Sequence, residues 1–261
     1  MSMAEQLNAA LGTTDIMTDK EMFRTGMTLA KVTNIKDEKN LNRVKCLPIG
    51  WEAQEETDWC YVMAPMGGPD CGAFFFPQVN DLVVLAFLDG DPHRPIVLGA
   101  YWNTETKPPL AVKDGKAEEY MLRTPKKIEM RLVDTDKKQK VTLTMPSGTV
   151  LTLDDEKSKV EIKDKNGDNA LTMDMKGGEI TLKAKTKVSI QAGKTSIVLE
   201  SGGAITQKGS GKISIQGTDI EAKANSKLAL QGTTSEVKAS ASLDLKASGP
   251  ANLKGAIVKI N

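Results

Sequence analysis

The hydrophobic positions of this chain follow two different rhythms. Up to about residue 102, short runs alternate apolar and polar residues, as half-buried strands do. The runs are MTLAKVTNI (27–35), NRVKCLPI (42–49), 58–63, 81–88 and 95–100. Turns rich in glycine, proline and aspartate separate them: MGGPDCG, PQVND and DGDPHRP. Five short strands within residues 26–102 predict a small Greek-key barrel of the OB type.

From Lys126 the rhythm becomes a short β-pair, a turn and another β-pair. VTL (141–143), LTL (151–153), VEI (160–162), LTM (171–173) and ITL (180–182) lead on to VSI, IVL, ISI, LAL, LDL and finally VKI (258–260). Ile205, Ile220, Val237 and Leu253 stand singly between the later pairs, giving a step of about eight residues. Alternation turns the outer two residues of each triplet to one face. The middle residue, mostly Thr, Ser, Ala, Lys or Asp, turns to the other. Ile215, Leu230, Leu245 and Ile260 recur fifteen residues apart. Asn166–Gly167, Gly177–Gly178 and Gly202–Gly203 mark corners.

Composition sharpens the second rhythm. After Tyr120 the chain has no aromatic residue, no cysteine and no histidine. A strand with one apolar face cannot bury it alone. Strands stacked ~4.8 Å apart can form a closed prism with a continuous apolar axis and no free edge. A narrow interior of that kind admits Ile, Leu, Val and Met but no Trp. A single-chain solenoid needs about three strands per coil, and the eight-residue step has no clear threefold super-period. Three identical chains around one axis are therefore expected, as a rod of roughly 80 Å. Leu182, Ile190, Leu199, Ile215, Leu230, Leu245 and Ile260 are expected to line the axis. The alternatives are a monomeric solenoid about a third as long and a disordered Lys-rich tail. Regularly spaced Ile, Leu and Val argue against disorder.

The expected fold is all-β. An N-terminal OB-fold barrel (26–102) is followed by a C-terminal intertwined trimeric β-helix, a triangular prism (126–261). Residues 1–25 read as an arm. Residues 103–125, with Pro108–Pro109 and Asp114–Gly115, read as a linker. Net charge is +1, but it hides an asymmetry. Residues 1–120 carry 11 Lys/Arg against 18 Asp/Glu; residues 121–261 carry 24 against 16. An acidic barrel disfavours a nucleic-acid partner. Cys46, Cys60 and Cys71 are odd in number and lack CxxC spacing, so they read as buried small hydrophobes. The start MSMAEQLNAALG lacks the features of a signal peptide, and no run approaches the ~18 apolar residues of a membrane span. Assembly in the cytoplasm is expected.

No catalytic, cofactor-binding or metal-ligating residue is expected, and no cofactor. His93, the one histidine, sits in a turn without an evident nucleophile. Asp89 and Asp91 fit hairpin chemistry, and Asp154–Asp155–Glu156 a solvated corner. AGKTS (192–196) lacks the first glycine and the following helix of a phosphate loop. Phe74–Phe75–Phe76 reads as barrel core plus protein contact rather than a base-stacking platform.

One pattern is more specific. It runs Trp59, Gly67–Gly68, Pro77, Val79, Asp81, Val83, Phe87, Gly90–Asp91–Pro92, Arg94–Pro95, Leu98–Gly99. With Gly26 to Lys45 upstream, it resembles the OB domain of phage baseplate assembly protein V and of VgrG spikes. The β-pairs that follow resemble that family's trimeric β-helix. The resemblance implies a non-enzymatic, homotrimeric central spike of a contractile injection particle, either a virion or a released tail-like particle such as a bacteriocin. Such a spike docks on a hub below the tail tube and meets the target envelope transiently, when sheath contraction drives it through. Three departures from the family matter. No hub domain precedes the barrel, so the hub is expected to be a separate protein. No lysozyme domain follows it, and no His-x-His iron motif stands near the end. The apolar ending GAIVKIN suggests that a separate PAAR-like cone caps Val258 and Ile260. The alternative is a trimeric fibre-like module that binds a cell-surface receptor or carbohydrate, which should end in a globular, aromatic-bearing head.

Overall fold

The computed structural model describes residues 26–51 and 55–260. The arm expected at residues 1–25 lies outside the described residues. The chain divides into two units, Met1–Val188 and Ser189–Asn261.

The first unit opens with β1 (Thr28–Asn34), β2 (Lys45–Pro48), β3 (Tyr61–Val62), β4 (Gly67–Gly68), β5 (Cys71–Gly72), β6 (Leu82–Phe87) and β7 (Pro95–Ala100). Five of these form one sheet in the order β2-β1-β6-β7-β3. The pairings are antiparallel except β3 with β7, where Tyr61 faces Ile96 in parallel. A bridge then closes the sheet into a ring. Val44 N–H donates to the Cys60 carbonyl (3.0 Å) and Cys60 N–H to the Val44 carbonyl (2.7 Å). The result is the five-stranded OB barrel that the alternation predicted. Every second residue of β1 and β6 points inward. Ala30, Val32, Val83 and Leu85 thereby meet Val44, Cys46, Cys60 and Val97 in one core. The β4–β5 hairpin lies apart from this sheet. A Cβ on Gly72 (φ +150°) would come within 2.7 Å of the Met66 carbonyl, so the turn needs glycine. Cys71 sits on this hairpin and is exposed, which corrects its reading as a buried hydrophobe.

The next seven strands are β8 (Glu119–Arg123), β9 (Glu129–Val133), β10 (Lys140–Thr144), β11 (Val150–Asp154), β12 (Lys159–Lys163), β13 (Ala170–Asp174) and β14 (Glu179–Lys183). They form one sheet in chain order, an antiparallel meander. This differs from expectation in two ways. Strand β8 falls inside the stretch 103–125 that was expected to be a linker. The strands also pair with their own chain neighbours rather than interleaving with other copies. The turns explain the second point. Each of the six reversals holds one residue in left-handed backbone: Lys127, Lys137, Gly148, Ser158, Gly167 and Gly178. Left-handed residues let a short loop turn a strand straight back on its neighbour.

The register aligns the apolar positions. Tyr120–Leu132–Val141–Leu153–Val160–Met173–Ile180 form one cross-strand ladder. Leu122–Met130–Leu143–Leu151–Ile162–Leu171–Leu182 form the second, on the same face.

Strand β15 (Lys187–Ala192) spans the boundary between the units, and β16 (Thr195–Glu200) and β17 (Ile205–Lys208) follow. These three form a second meander with reversals at Gly193 and Gly203. From Gly209 to Ile260 there is no strand and every residue is exposed.

Candidate functional site

The site is a surface rather than a cleft. Among the described residues, no hydrophobic side chain after Val97 is buried. The barrel has a core, and the sheet β8–β14 has none of its own. Of the fourteen residues in its two apolar ladders, twelve are exposed, from 36% at Val141 to 70% at Ile180. A bare aliphatic face on this scale marks an interaction surface.

The opposite face is finished for water. Arg131 pairs with Glu119 (2.7 Å), Arg123 with Glu129, Lys140 with Asp154 (3.0 Å), and Lys163 and Lys159 with Glu161 (2.5 and 3.5 Å). Thr142, Thr152, Thr172 and Thr181 take four of the seven places in the middle column. Asp154 corrects the reading of a solvated corner: it is buried, and only Asp155 and Glu156 are exposed. Its carboxylate also accepts the Lys157 N–H (3.0 Å). The Lys140 ammonium and this N–H hold its carboxyl below the ordinary aspartate range, against the effect of burial.

The residues expected on an axis lie as follows. Leu182 belongs to β14, at the end of the second ladder. Ile190 and Leu199 belong to β15 and β16. Ile215, Leu230, Leu245 and Ile260 lie in the strandless segment and are exposed, as is Val258.

The residues of the OB signature lie in the strands and turns of the barrel. Trp59 is half-buried, with the Arg43 guanidinium and the Lys45 ammonium 5.6 and 5.7 Å from its ring centre. Gly67 and Gly68 build the β4–β5 hairpin. Pro77 begins the turn into β6, where Asp81 accepts the Gln78 N–H on its carboxylate (2.8 Å) and the Val32 N–H on its carbonyl (2.9 Å). Phe87 is buried and stacks on Trp51, with ring centres 5.9 Å apart. In the next turn Gly90 takes φ +74°, Asp91 accepts the His93 N–H (2.8 Å), and Pro92 precedes it. Arg94 pairs with Asp89 (2.5 Å). Both aspartates are thus engaged within the turn. Pro95 faces Phe87 across β6–β7, and Gly99 faces Val84. Sequence reasoning missed a further clamp. Asp37 accepts from Arg43 Nε (2.9 Å) and from the amides of Lys39 (3.1 Å) and Leu41 (3.0 Å). The bonded guanidinium holds its carboxyl far below the ordinary range, with the two amides adding to the effect.

His93 is exposed, and its Nδ1 lies 2.8 Å from Asp58 Oδ2. The nearest hydroxyl lining the same cleft, Thr57, is engaged by Cys60 Sγ (3.1 Å) and by the Cys46 N–H (3.1 Å). Cys46 and Cys60 are buried, and their mutual hydrogen bond and burial push the Cys46 thiol up, away from a reactive thiolate. Phe76 packs on the core, while Phe74 and Phe75 are exposed and Phe74 stacks on Phe76. No group of three or more His, Cys, Asp or Glu among the described residues could hold a metal. No helix among them is long and apolar enough to cross a membrane.

The chain thus carries a signature-bearing OB barrel, followed by a β-sheet with a bare apolar face. Comparison with known proteins agrees. Residues 28–102 match the family model described as the Type VI secretion system/phage-baseplate injector OB domain. The chain is 30% identical over 64 residues to the Type VI secretion system spike protein VgrG1a of Pseudomonas aeruginosa and 35% identical over 60 residues to VgrG2a of the same organism. It is 30% identical over 90 residues to VgrG3 of Vibrio cholerae serotype O1. The matched stretches cover 23%, 23% and 33% of this chain, and 10%, 7% and 9% of those relatives. The chain therefore spans a tenth or less of the length of the curated relatives it matches. Over its barrel it is similar to VgrG spikes, as the signature between Trp59 and Gly99 indicated.

Proposed function

We propose that this chain is the non-enzymatic central spike of a contractile injection particle and acts as a homotrimer. One observation carries this reading: two seven-residue apolar ladders, aliphatic but for Tyr120, lie largely bare on a sheet with no core of its own. Three such faces turned toward a common axis would cover one another. If closure removes roughly 60 Å² of apolar area from each ladder side chain, it contributes about 20 kcal/mol per chain. Association costs on the order of 4–15 kcal/mol, so burial wins. The absence of aromatics beyond Tyr120 fits an interior too narrow for rings. Leu182, Ile190, Leu199, Ile215, Leu230, Leu245 and Ile260 line the interior of this trimeric prism.

In the particle the barrel docks on a separate hub protein, and Val258 and Ile260 offer an apolar end to a PAAR-like tip protein. The chain assembles in the cytoplasm and leaves as part of the particle. Its work is force transmission: a rod without free sheet edges concentrates the sheath's push on a small area of the target envelope. Among the described residues lining the cleft beside the His93–Asp58 pair, the one hydroxyl, that of Thr57, is already engaged, which favours a structural role over catalysis. Electron cryomicroscopy of assembled particles tests the assignment. Density for the chain is expected on the particle axis at the end of the tube. Density on laterally attached fibres would overturn the spike reading in favour of a receptor- or carbohydrate-binding fibre.

A further inference from the structure

The chain is incomplete in two different ways. Across the sheet β8–β14 each strand's ladder partner is its neighbour in the same chain, so that β9 to β13 are paired on both sides, only β8 and β14 are edges, and one apolar side-chain face is left open. From Gly209 to Ile260 the reverse holds. No strand lies there, and no turn or loop backbone hydrogen bond among the described residues falls in that stretch. After Gly203 no described residue has positive φ, so the hairpin reversals stop. The chain instead bends at 210–211, 218, 225–226, 233–234, 240–241, 248–249 and 256–257, every seven or eight residues. Each straight stretch between bends is of strand length and carries an aliphatic pair or a single aliphatic: Ile213 with Ile215, then Ile220, then Leu228 with Leu230. Alternating strands of this kind need ladder partners. With none in their own chain, the partners are strands of other copies.

We infer that the meander β8–β14 is the trimerisation module. Three preformed walls close first through their aliphatic faces, and this fixes the register in which the three segments 209–260 wind together. The inference rests on the trimeric reading above. Its physical basis is the difference in cost. Docking a finished sheet face breaks no ladder, whereas winding the later segment needs strands from separate chains at once. Tethering by a closed module raises the local strand concentration to the millimolar range. Register is the second reason. The fifteen-residue repeat of Ile215, Leu230 and Leu245 allows the wound strands to slip by whole repeats. The meander does not repeat in that way, because its first rung alone carries an aromatic, Tyr120.

Two full-length variants test the order, Leu143→Asp in the meander and Leu230→Asp in the later segment. Both side chains are exposed in the isolated chain, so a charge there is solvated until copies associate. All three tryptophans lie at or before Trp102, so their fluorescence reports barrel folding in each variant. Mass by light scattering and limited proteolysis are the readouts. Leu143→Asp is expected to drop the mass threefold and leave residues 209–260 open to protease. Leu230→Asp is expected to remain a trimer, with only the later segment sensitive. A monomeric Leu230→Asp, or a trimeric Leu143→Asp with a protected later segment, overturns the order while leaving the trimer intact. A monomeric wild-type chain would instead remove the trimeric reading itself.

Discussion

At the scale of single residues, the barrel is held by charge as well as by its core. Asp37 is buried, and its carboxylate binds Arg43 on two oxygens and two backbone amides besides. Its folded-state pKa lies below that of an unfolded aspartate. As pH falls, the unfolded chain takes up this proton first, so acid favours unfolding. The stability Asp37 contributes is thus fully present above about pH 4 and is lost as pH drops through the folded value. Asp37→Asn is expected to destabilise the barrel clearly at pH 7 and measurably less at pH 3, measured by tryptophan-monitored urea unfolding. An equal loss at both values would contradict the clamp. This clamp was not legible in the sequence, because a loop of five intervening residues brings Arg43 back to Asp37 beneath Trp59 and Tyr61. The turn residues Gly90, Asp91 and Pro92 were legible, since local backbone chemistry alone selects them. Cys71 misled because cysteine is so often buried. Asp154 misled because the register sets it opposite Lys140, which its acidic neighbours in sequence do not reveal.

At the scale of elements, turns decide which strands pair. Gly148 reverses β10 into β11 at φ +90°, and a Cβ there would meet Lys165 Cβ at 2.7 Å. Gly148→Ala is therefore expected to cost about 1–2 kcal/mol from backbone strain alone, read as a lower unfolding midpoint. An unchanged midpoint would mean that this reversal is not held in the folded assembly. The five barrel strands were readable from alternation. So were the apolar faces of the later strands. Their pairing was not, although spacing carries it in hindsight. The middle residues Thr142, Thr152, Glu161, Thr172 and Thr181 stand nine to eleven residues apart, enough for a five-residue strand and a full reversal. After Gly203 the bends come every seven or eight residues, which leaves room for a strand and a corner only. Averaging both regions into one step of about eight hid the change. Strands β8 and β9 were missed because Met121 and Arg131 occupy the middle position that Thr usually fills, and because Pro108–Pro109 suggested a longer linker.

At the scale of the whole molecule, the buried hydrophobic side chains among the described residues all lie in the barrel, while aliphatic residues continue to the end of the described chain. A protein that stayed a single chain would leave those ladders in water along with the unpaired backbone of residues 209–260. The proposed trimer would resolve both. It also accounts for the missing aromatics and the regular Ile and Leu positions that first set this region apart. The most direct test is the mass of the full-length protein in solution, measured by multi-angle light scattering at micromolar concentration. The expected value is close to three times 28.2 kDa. A stable, folded species at 28.2 kDa would contradict the trimeric spike.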